Sequence, residues 1–256
     1  MFEGTLRFHG FSPKAGVTVS AIPEALELYA LYSRPFKAPN VDDFSARVPD
    51  FAGNITLTPQ QADSYELGAH SHLTVGRAIL GSDAAWFYMV VNDEILFNRL
   101  TFQNQNFDTR RVGVELSTRL DVPDRFRSRL AYTFVDAEFR QGGFKGSSLP
   151  GTPRNLLNAS VGVSPLKDVW IDLDWQLVRD VVRFNDFNNV LASDNYGVLN
   201  LALSYERSLA RFFLTFQNVT NEEYVAFQSS NAADLTGAGE NPMPPFGVVG
   251  GVTLTF

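Results

Sequence analysis

A side-chain period of two, repeated along almost the whole chain, limits what this sequence can fold into. Between Leu199 and Glu206, Leu199, Leu201, Leu203 and Tyr205 fall on one side and Asn200, Ala202, Ser204 and Glu206 on the other. Successive side chains of an extended strand point to opposite faces, so such a segment separates two environments. Ile171, Leu173, Trp175 and Leu177 oppose Asp172, Asp174 and Gln176, and Val112, Val114, Leu116 and Leu120 oppose Gly113, Glu115, Ser117 and Arg119. Val17 and Val19 oppose Gly16, Thr18 and Ser20; Tyr65, Leu67 and Leu73 oppose Glu66, Gly68, His70, His72 and Thr74. Phe246, Val248, Val252, Leu254 and Phe256 share one side near the C-terminus. No helical stripe competes with this pattern, and the fold class is all-β.

The two environments are core and water in a soluble sandwich, or lipid and a wet lumen in a membrane barrel. Several of these segments run to about 12 to 16 residues, where globular strands average about 5 or 6, and their polar faces are rich in small uncharged groups. Tilted strands need about 9 to 11 residues to cross the apolar zone of a bilayer. Strands are expected near 12–22, 25–34, 62–75, 81–95, 108–120, 126–139, 154–163, 168–182, 195–206, 210–219 and 246–256. Their connections alternate. Ile22 to Glu24, Gly76-Arg77, Asp121 to Arg125, Ser164 to Lys167 and Arg207 to Leu209 are tight turns, whereas 35–61, 96–107, 140–153, 183–194 and 220–245 read as long loops. An antiparallel up-and-down sheet with short turns on one side and long loops on the other has the arrangement of an outer-membrane β-barrel. Trp86, Tyr88, Tyr132, Phe134 and Trp175 are then candidates for its interfacial aromatic girdle.

Composition closes other routes. The longest run without a polar break, Ala84 to Val91, falls far short of the roughly 18 to 20 apolar residues of a spanning helix. The chain carries 28 acidic and 21 basic residues, and its net charge of −7 argues against a nucleic-acid partner. With no cysteine, disulfides, thiolate catalysis and cysteine-ligated zinc are excluded. The first residues have neither a basic segment nor an apolar one, so any export signal is expected outside this sequence.

Candidate chemistry is sparse. His70 and His72 share a strand face with Glu66, a spacing that suits either a divalent metal or hydrogen-bonded histidines in a wet lumen, and the second is the reading adopted. Asp172 and Asp174 also share a face, but a wet lumen supplies no apolar setting to shift one of them for acid/base work. No G-x-S-x-G motif accompanies His9, His70 or His72. No enzyme activity, metal or cofactor is therefore expected, and a barrel hydrolase is the remotest alternative.

Short segments along the chain resemble TonB-dependent outer-membrane receptors, in that family's order. Tyr32 to Pro39 (YSRPFKAP) is similar to the "YSRGFKAP" segment, Ser64 to Gly68 to the "SYELG" strand, and Asn92 to Ile95 to the "DEI" strand end. Arg111 to Leu116 resembles "GVEL", Tyr132 to Phe139 resembles "YTYTDA", Leu149 to Arg154 resembles "PGVPRH" and Phe216 to Tyr224 resembles "VNNLTDEEY". The resemblance implies a chain that supplies about eleven strands of a larger, 22-stranded barrel, its C-terminal half, in the outer membrane of a Gram-negative bacterium. It also implies partners: the N-terminal barrel half and plug domain, the TonB energy-transducing complex acting through the plug, the barrel-assembly machinery and outer-membrane lipid. The terminal Phe256 would be the assembly signal. The implied activity is import of a scarce ligand, most readily a ferric siderophore.

On a rigid scaffold, recognition falls to loops. Arg34, Phe36 and Lys37; Gln103 and Asn104; Arg140, Phe144 and Lys145; Arg183, Phe184 and Phe187; and Phe227 and Gln228 offer aromatic faces and cationic or amide donors for an anionic iron chelate. A competing reading is a self-contained passive, porin-like barrel. Single-chain barrels have even strand numbers, so it would need Phe2 to His9 as a twelfth strand.

Overall fold

The computed structural model describes residues 6–44, 53–98, 101–230 and 237–255. Its strands, in chain order, are β1 (Lys14–Ile22), β2 (Leu26–Ser33), β3 (Phe36–Lys37), β4 (Gln60–Val75), β5 (Ala78–Asn98), β6 (Gln103–Val122) and β7 (Phe126–Phe139). Then follow β8 (Asn155–Val163), β9 (Val169–Arg179), β10 (Tyr196–Arg207), β11 (Ala210–Gln217), β12 (Val225–Ser230), β13 (Gly237–Pro242) and β14 (Gly247–Leu254). One sheet runs β1-β2-β4-β5-β6-β7-β8-β9-β10-β11-β14, with the small strand β3 added to β4 and the hairpin β12-β13 standing apart. Every ladder between neighbours on this path is antiparallel.

The eleven strands expected from the alternation are the strands of this path, with ends displaced by a few residues. Among the described residues β1 and β14 each pair on one side only, so the sheet is an open wall. Leu6 to His9 are not in a strand, and the closed twelve-strand alternative is not formed there; Phe2 to Thr5 and Phe256 lie outside the described residues. The two-residue β3 is the twelfth member of the sheet instead.

Each tight turn places one residue at left-handed φ: Glu24 at 63°, Gly76 at 60°, Asp124 at 63°, Asp168 at 66° and Ser208 at 54°. Glycine takes this conformation without steric penalty, and Asp is among the residues that tolerate it best. The long connections all lie at the other end of the wall, and one of them is not a loop. Residues 96–107, expected as a loop, instead extend β5 and β6 beyond the rest of the sheet. A bulge between Val91 and Glu94, with Asp93 at φ 57°, breaks the register there. Beyond it Asn98 donates through Nδ2 to Gln105 Oε1 at 2.8 Å, and Asn106 donates through Nδ2 to the carbonyls of Asp93 at 2.7 Å and Thr58 at 2.9 Å. Amides there replace the apolar alternation that marks a strand lying against lipid.

Directly paired residues share a face, so the register assigns each face. Tyr32, Tyr65, Tyr88 and Val112 form one outward row, and Trp86, Val114 and Phe134 another. The girdle candidates Trp86, Tyr88, Tyr132, Phe134 and Trp175 all fall on this outward face. On β6 the outward column is apolar from Val112 to Val122 apart from Thr118, close to the span of about 9 to 11 residues required. Beyond the tyrosine row the same columns turn ionic: Arg34 lies 3.6 Å from Asp63, Arg110 2.8 Å from Glu138 and Arg140 3.5 Å from Asp108, and Arg154 pairs with Asp136. The opposite face is wet. Tyr29 donates to Glu66 Oε1 at 2.6 Å and stacks on His70 with centroids 4.8 Å apart, while His70 Nδ1 lies 2.7 Å from Asp83, which also accepts from Ser117 at 2.9 Å.

Aromatic rings occupy the space over glycines on this inner face: Tyr29 at Gly68, Phe87 at Gly113 and Phe213 at Gly251. A methyl group on Gly113 would sit 2.4 Å from the Phe134 carbonyl oxygen and 2.5 Å from the Phe87 ring. Gly113→Ala is therefore expected to cost about 1–3 kcal/mol through overpacking. Gly81→Ala, with nothing nearer than 3.9 Å, serves as the neutral comparison. The check is the temperature at which the SDS-resistant folded form is lost, which should fall for the first variant only.

Candidate ligand-binding crown

The long connections converge above the open end of the wall. Phe107 at the start of β6, Phe139 at the end of β7, Phe144 in the 3-10 turn Gly142–Phe144 and Phe187 in the β9–β10 loop pack with centroids 5.0 to 6.2 Å apart. Leu96, Val135, Ala137 and Leu149 complete the cluster. Phe139 has no exposed surface at all, and on β7 it follows the inward column of Val135 and Ala137. A dry core thus forms on the inner side of the barrel rim, where a polar lumen would otherwise open to the exterior. The β9–β10 loop is held to it by Asn189, which donates to the Ser148 carbonyl at 2.9 Å and accepts from the Ser148 amide. Within that loop the buried Asp186 accepts the Leu191 amide at 2.6 Å.

The expected contact residues divide into two groups. Arg34 is spent on Gln61 at 2.9 Å and on Asp63, and Arg140 on Asn92 at 2.6 Å and on Asp108. Asn104 is buried, donating to the Asp43 carbonyl at 2.8 Å and accepting from Asn54 at 2.9 Å, which fastens the β3–β4 loop to the β5–β6 extension. Gln103 opens β6 opposite Asn98. Phe36 pairs with Gln61 and lies against Gly10; Phe144 and Phe187 belong to the dry core. Lys37 and Lys145 are exposed at separate places on the crown.

Arg183, Phe184, Phe227 and Gln228 come together. Phe184 and Phe227 are each about two-fifths exposed, and their rings meet at 5.5 Å. The Phe184 amide donates to the Gln228 carbonyl at 2.9 Å, so the β12–β13 hairpin is tied to the β9–β10 loop by backbone. Gln228 is buried, accepting the Asp194 amide at 3.1 Å and donating to Asp194 Oδ2 at 2.9 Å. Arg183 Nη1 stands 3.6 Å from Glu240 of β13, and its Nε donates to the Ala192 carbonyl at 3.1 Å. Phe184, Phe227 and Gln228 line a niche of about 230 Å³ with Leu156, Val178 and Tyr196 from the inner wall. Tyr196, whose ring is tilted against Tyr224 at 4.7 Å, and Asp194 are not among the residues that the sequence marks. Their pairing across a long loop leaves no local pattern to find.

A family model described as TonB dependent receptor-like, beta-barrel matches residues 2–221. The chain belongs to that family, an outer-membrane barrel family of Gram-negative bacteria whose members are transporters rather than enzymes. Solved structures agree in fold. The siderophore receptor PiuA from Acinetobacter baumannii superposes with a TM-score of 0.77 at 16% identity over 94% of this chain and 35% of its own. The ferric-catecholate import receptor Fiu from E. coli K12, in its closed form, gives 0.71 at 21% over 95% and 34%, and the copper transporter OprC gives 0.76 at 16% over 96% and 39%. The chain therefore spans little more than a third of the length of these receptors.

Proposed function

We propose that this chain forms the C-terminal part of the barrel wall of a receptor that imports a scarce ligand, with a ferric siderophore as the ligand class. The observation that carries the reading is the convergence of Phe184, Phe227 and Gln228 on one niche from two separate connections, with Arg183 beside Phe184 in the chain. The niche is lined by aromatic rings, aliphatic groups, amides, the Ser193 hydroxyl and the Asp194 carboxylate, which Gln228 engages, and by no sulfur or imidazole. That chemistry favours an aromatic, anionic chelate over a bare metal ion. The dry core across the inner rim supports gated passage, since a passive pore gains nothing from apolar packing in its mouth. On this reading the completing barrel strands, a plug domain and TonB are the chain's partners, together with the barrel-assembly machinery and the surrounding lipid.

The test uses the complete receptor. Phe184→Ala combined with Phe227→Ala should weaken binding of a ferric catecholate about tenfold, the equivalent of about 1.4 kcal/mol. Binding is followed by quenching of intrinsic fluorescence, and uptake by radiolabelled iron. Unchanged affinity in the double variant would remove the niche from the binding site, and ligand-independent ion conductance by the intact receptor would remove the importer reading itself.

A further inference from the structure

We infer that Arg119 and Arg129 form an oxyanion site on the lumen wall, distinct from the niche in the crown, which takes a carboxylate or phosphate group. The inference rests on the barrel wall and not on the identity of the imported ligand. The register sets Arg119 of β6 directly opposite Arg129 of β7 on the inward face. Like charges directly opposed across a strand pair destabilise it, because their β-carbons lie only about 4.5–5.5 Å apart. The neighbouring inward arginines of the same two strands are compensated. Arg111 lies 2.7 Å from Glu94, and Arg127 grips Asp172 with two bonds of 2.8 Å while covering the Trp170 ring at 4.4 Å.

Arg119 and Arg129 break that rule. Arg119 Nε reaches one carboxylate, Asp121, at 3.1 Å, and the Arg119 side chain is more than half exposed while that of Asp121 is about one-third exposed. Arg129 is exposed and has no carboxylate partner among the described residues. One carboxylate thus serves Arg119 and none serves Arg129. Donors gather beside them. Ser160 stands opposite Arg129 on β8, and Asn158, whose Oδ1 is taken by Gln176 Nε2 at 3.2 Å, keeps its own amide hydrogens as donors. Gly81, paired with Arg119 on the other side, has no side chain to fill the space beside it. These residues line a concavity of about 850 Å³. Of the acids on its wall, Asp83 is engaged by His70 and Ser117, and Asp174 pairs across Ser160, two strands from Arg129. Two strand spacings put its backbone roughly 9–10 Å away. The concave wall presents the positive field of this pair to whatever occupies the lumen.

The oxyanion can be a carboxylate of a polypeptide segment seated in the lumen or a free anion from solution. Both are read in the complete receptor. Arg129→Lys keeps the charge, and a water-soluble carbodiimide then joins the new amine to any carboxylate in contact with it. An amide to a carboxylate outside residues 1–256, found by peptide mass spectrometry, identifies the polypeptide source. No such amide, together with saturable binding of inorganic phosphate by calorimetry that Arg129→Gln weakens at least tenfold, identifies the free anion. Cross-linking to Asp121 or Asp174 of this wall would overturn the site, as would silence in both readouts. Neither readout uses transport, so a receptor that imports normally and fails both refutes this site alone. Retention of the SDS-resistant form in both variants establishes that they fold.

Discussion

Replacing Leu116 by arginine should remove most of the folded receptor from the outer membrane, whereas Ser117→Arg beside it should leave the receptor in place. Leu116 lies in the outward row that runs from Ala84 through Tyr132 and Leu157 to Leu177, near the middle of the apolar column of β6. A guanidinium on the lipid face at the bilayer midplane costs about 2–4 kcal/mol, against a total stability of about 5–15 kcal/mol for an ordinary domain. Ser117 points the other way, in a row with His70, Asp83 and Asn158, where water and a carboxylate receive a cation. Heat-modifiable electrophoretic mobility of outer-membrane fractions reads both. Equal loss in the two variants would mean that the faces have been assigned wrongly.

Phe139→Ala should leave the barrel intact and loosen the crown. Truncating a fully buried phenylalanine costs about 3–5 kcal/mol. The loss falls on the contacts with Phe107 at 5.5 Å, Phe144 at 5.6 Å and Phe187 at 5.0 Å. The ladders among β4, β5, β6 and β7 below the rim lie outside those contacts. Limited proteolysis should therefore cut faster within 140–153 and 183–194 while the melting of the wall stays where it was. If cleavage there is unchanged, the cluster is not what holds the loops. If the wall itself melts early, the crown and the barrel are a single cooperative unit.

The wall was legible in the sequence because lipid on one side and water on the other impose a strict alternation, and five tight turns mark its lower edge. The segment 96–107 read as a loop for the same reason: above the membrane both faces of β5 and β6 meet water or neighbouring loops, and Gln103-Asn104-Gln105-Asn106 form strand by amide bonding instead of burial. The hairpin β12–β13 was hidden likewise. Among the contact candidates, residue type alone did not separate Phe187, which is 7% exposed, from Phe184, which is 41% exposed. What distinguishes them is the long-range packing of Phe107, Phe139 and Phe144, which no local pattern announces. The opposition of Arg129 to Arg119 follows from the register between β6 and β7, which no local pattern announces.

The open wall carries a consequence for whatever completes it. Neighbours along its path alternate in direction, so β1 and β14 both descend from the loop side to the turn side. Joined to each other, they would meet as parallel partners at the seam. A second copy turned about the pore axis would meet them in the same parallel sense. Up-and-down antiparallel closure thus demands an odd complement of further strands, the first and last of which both ascend.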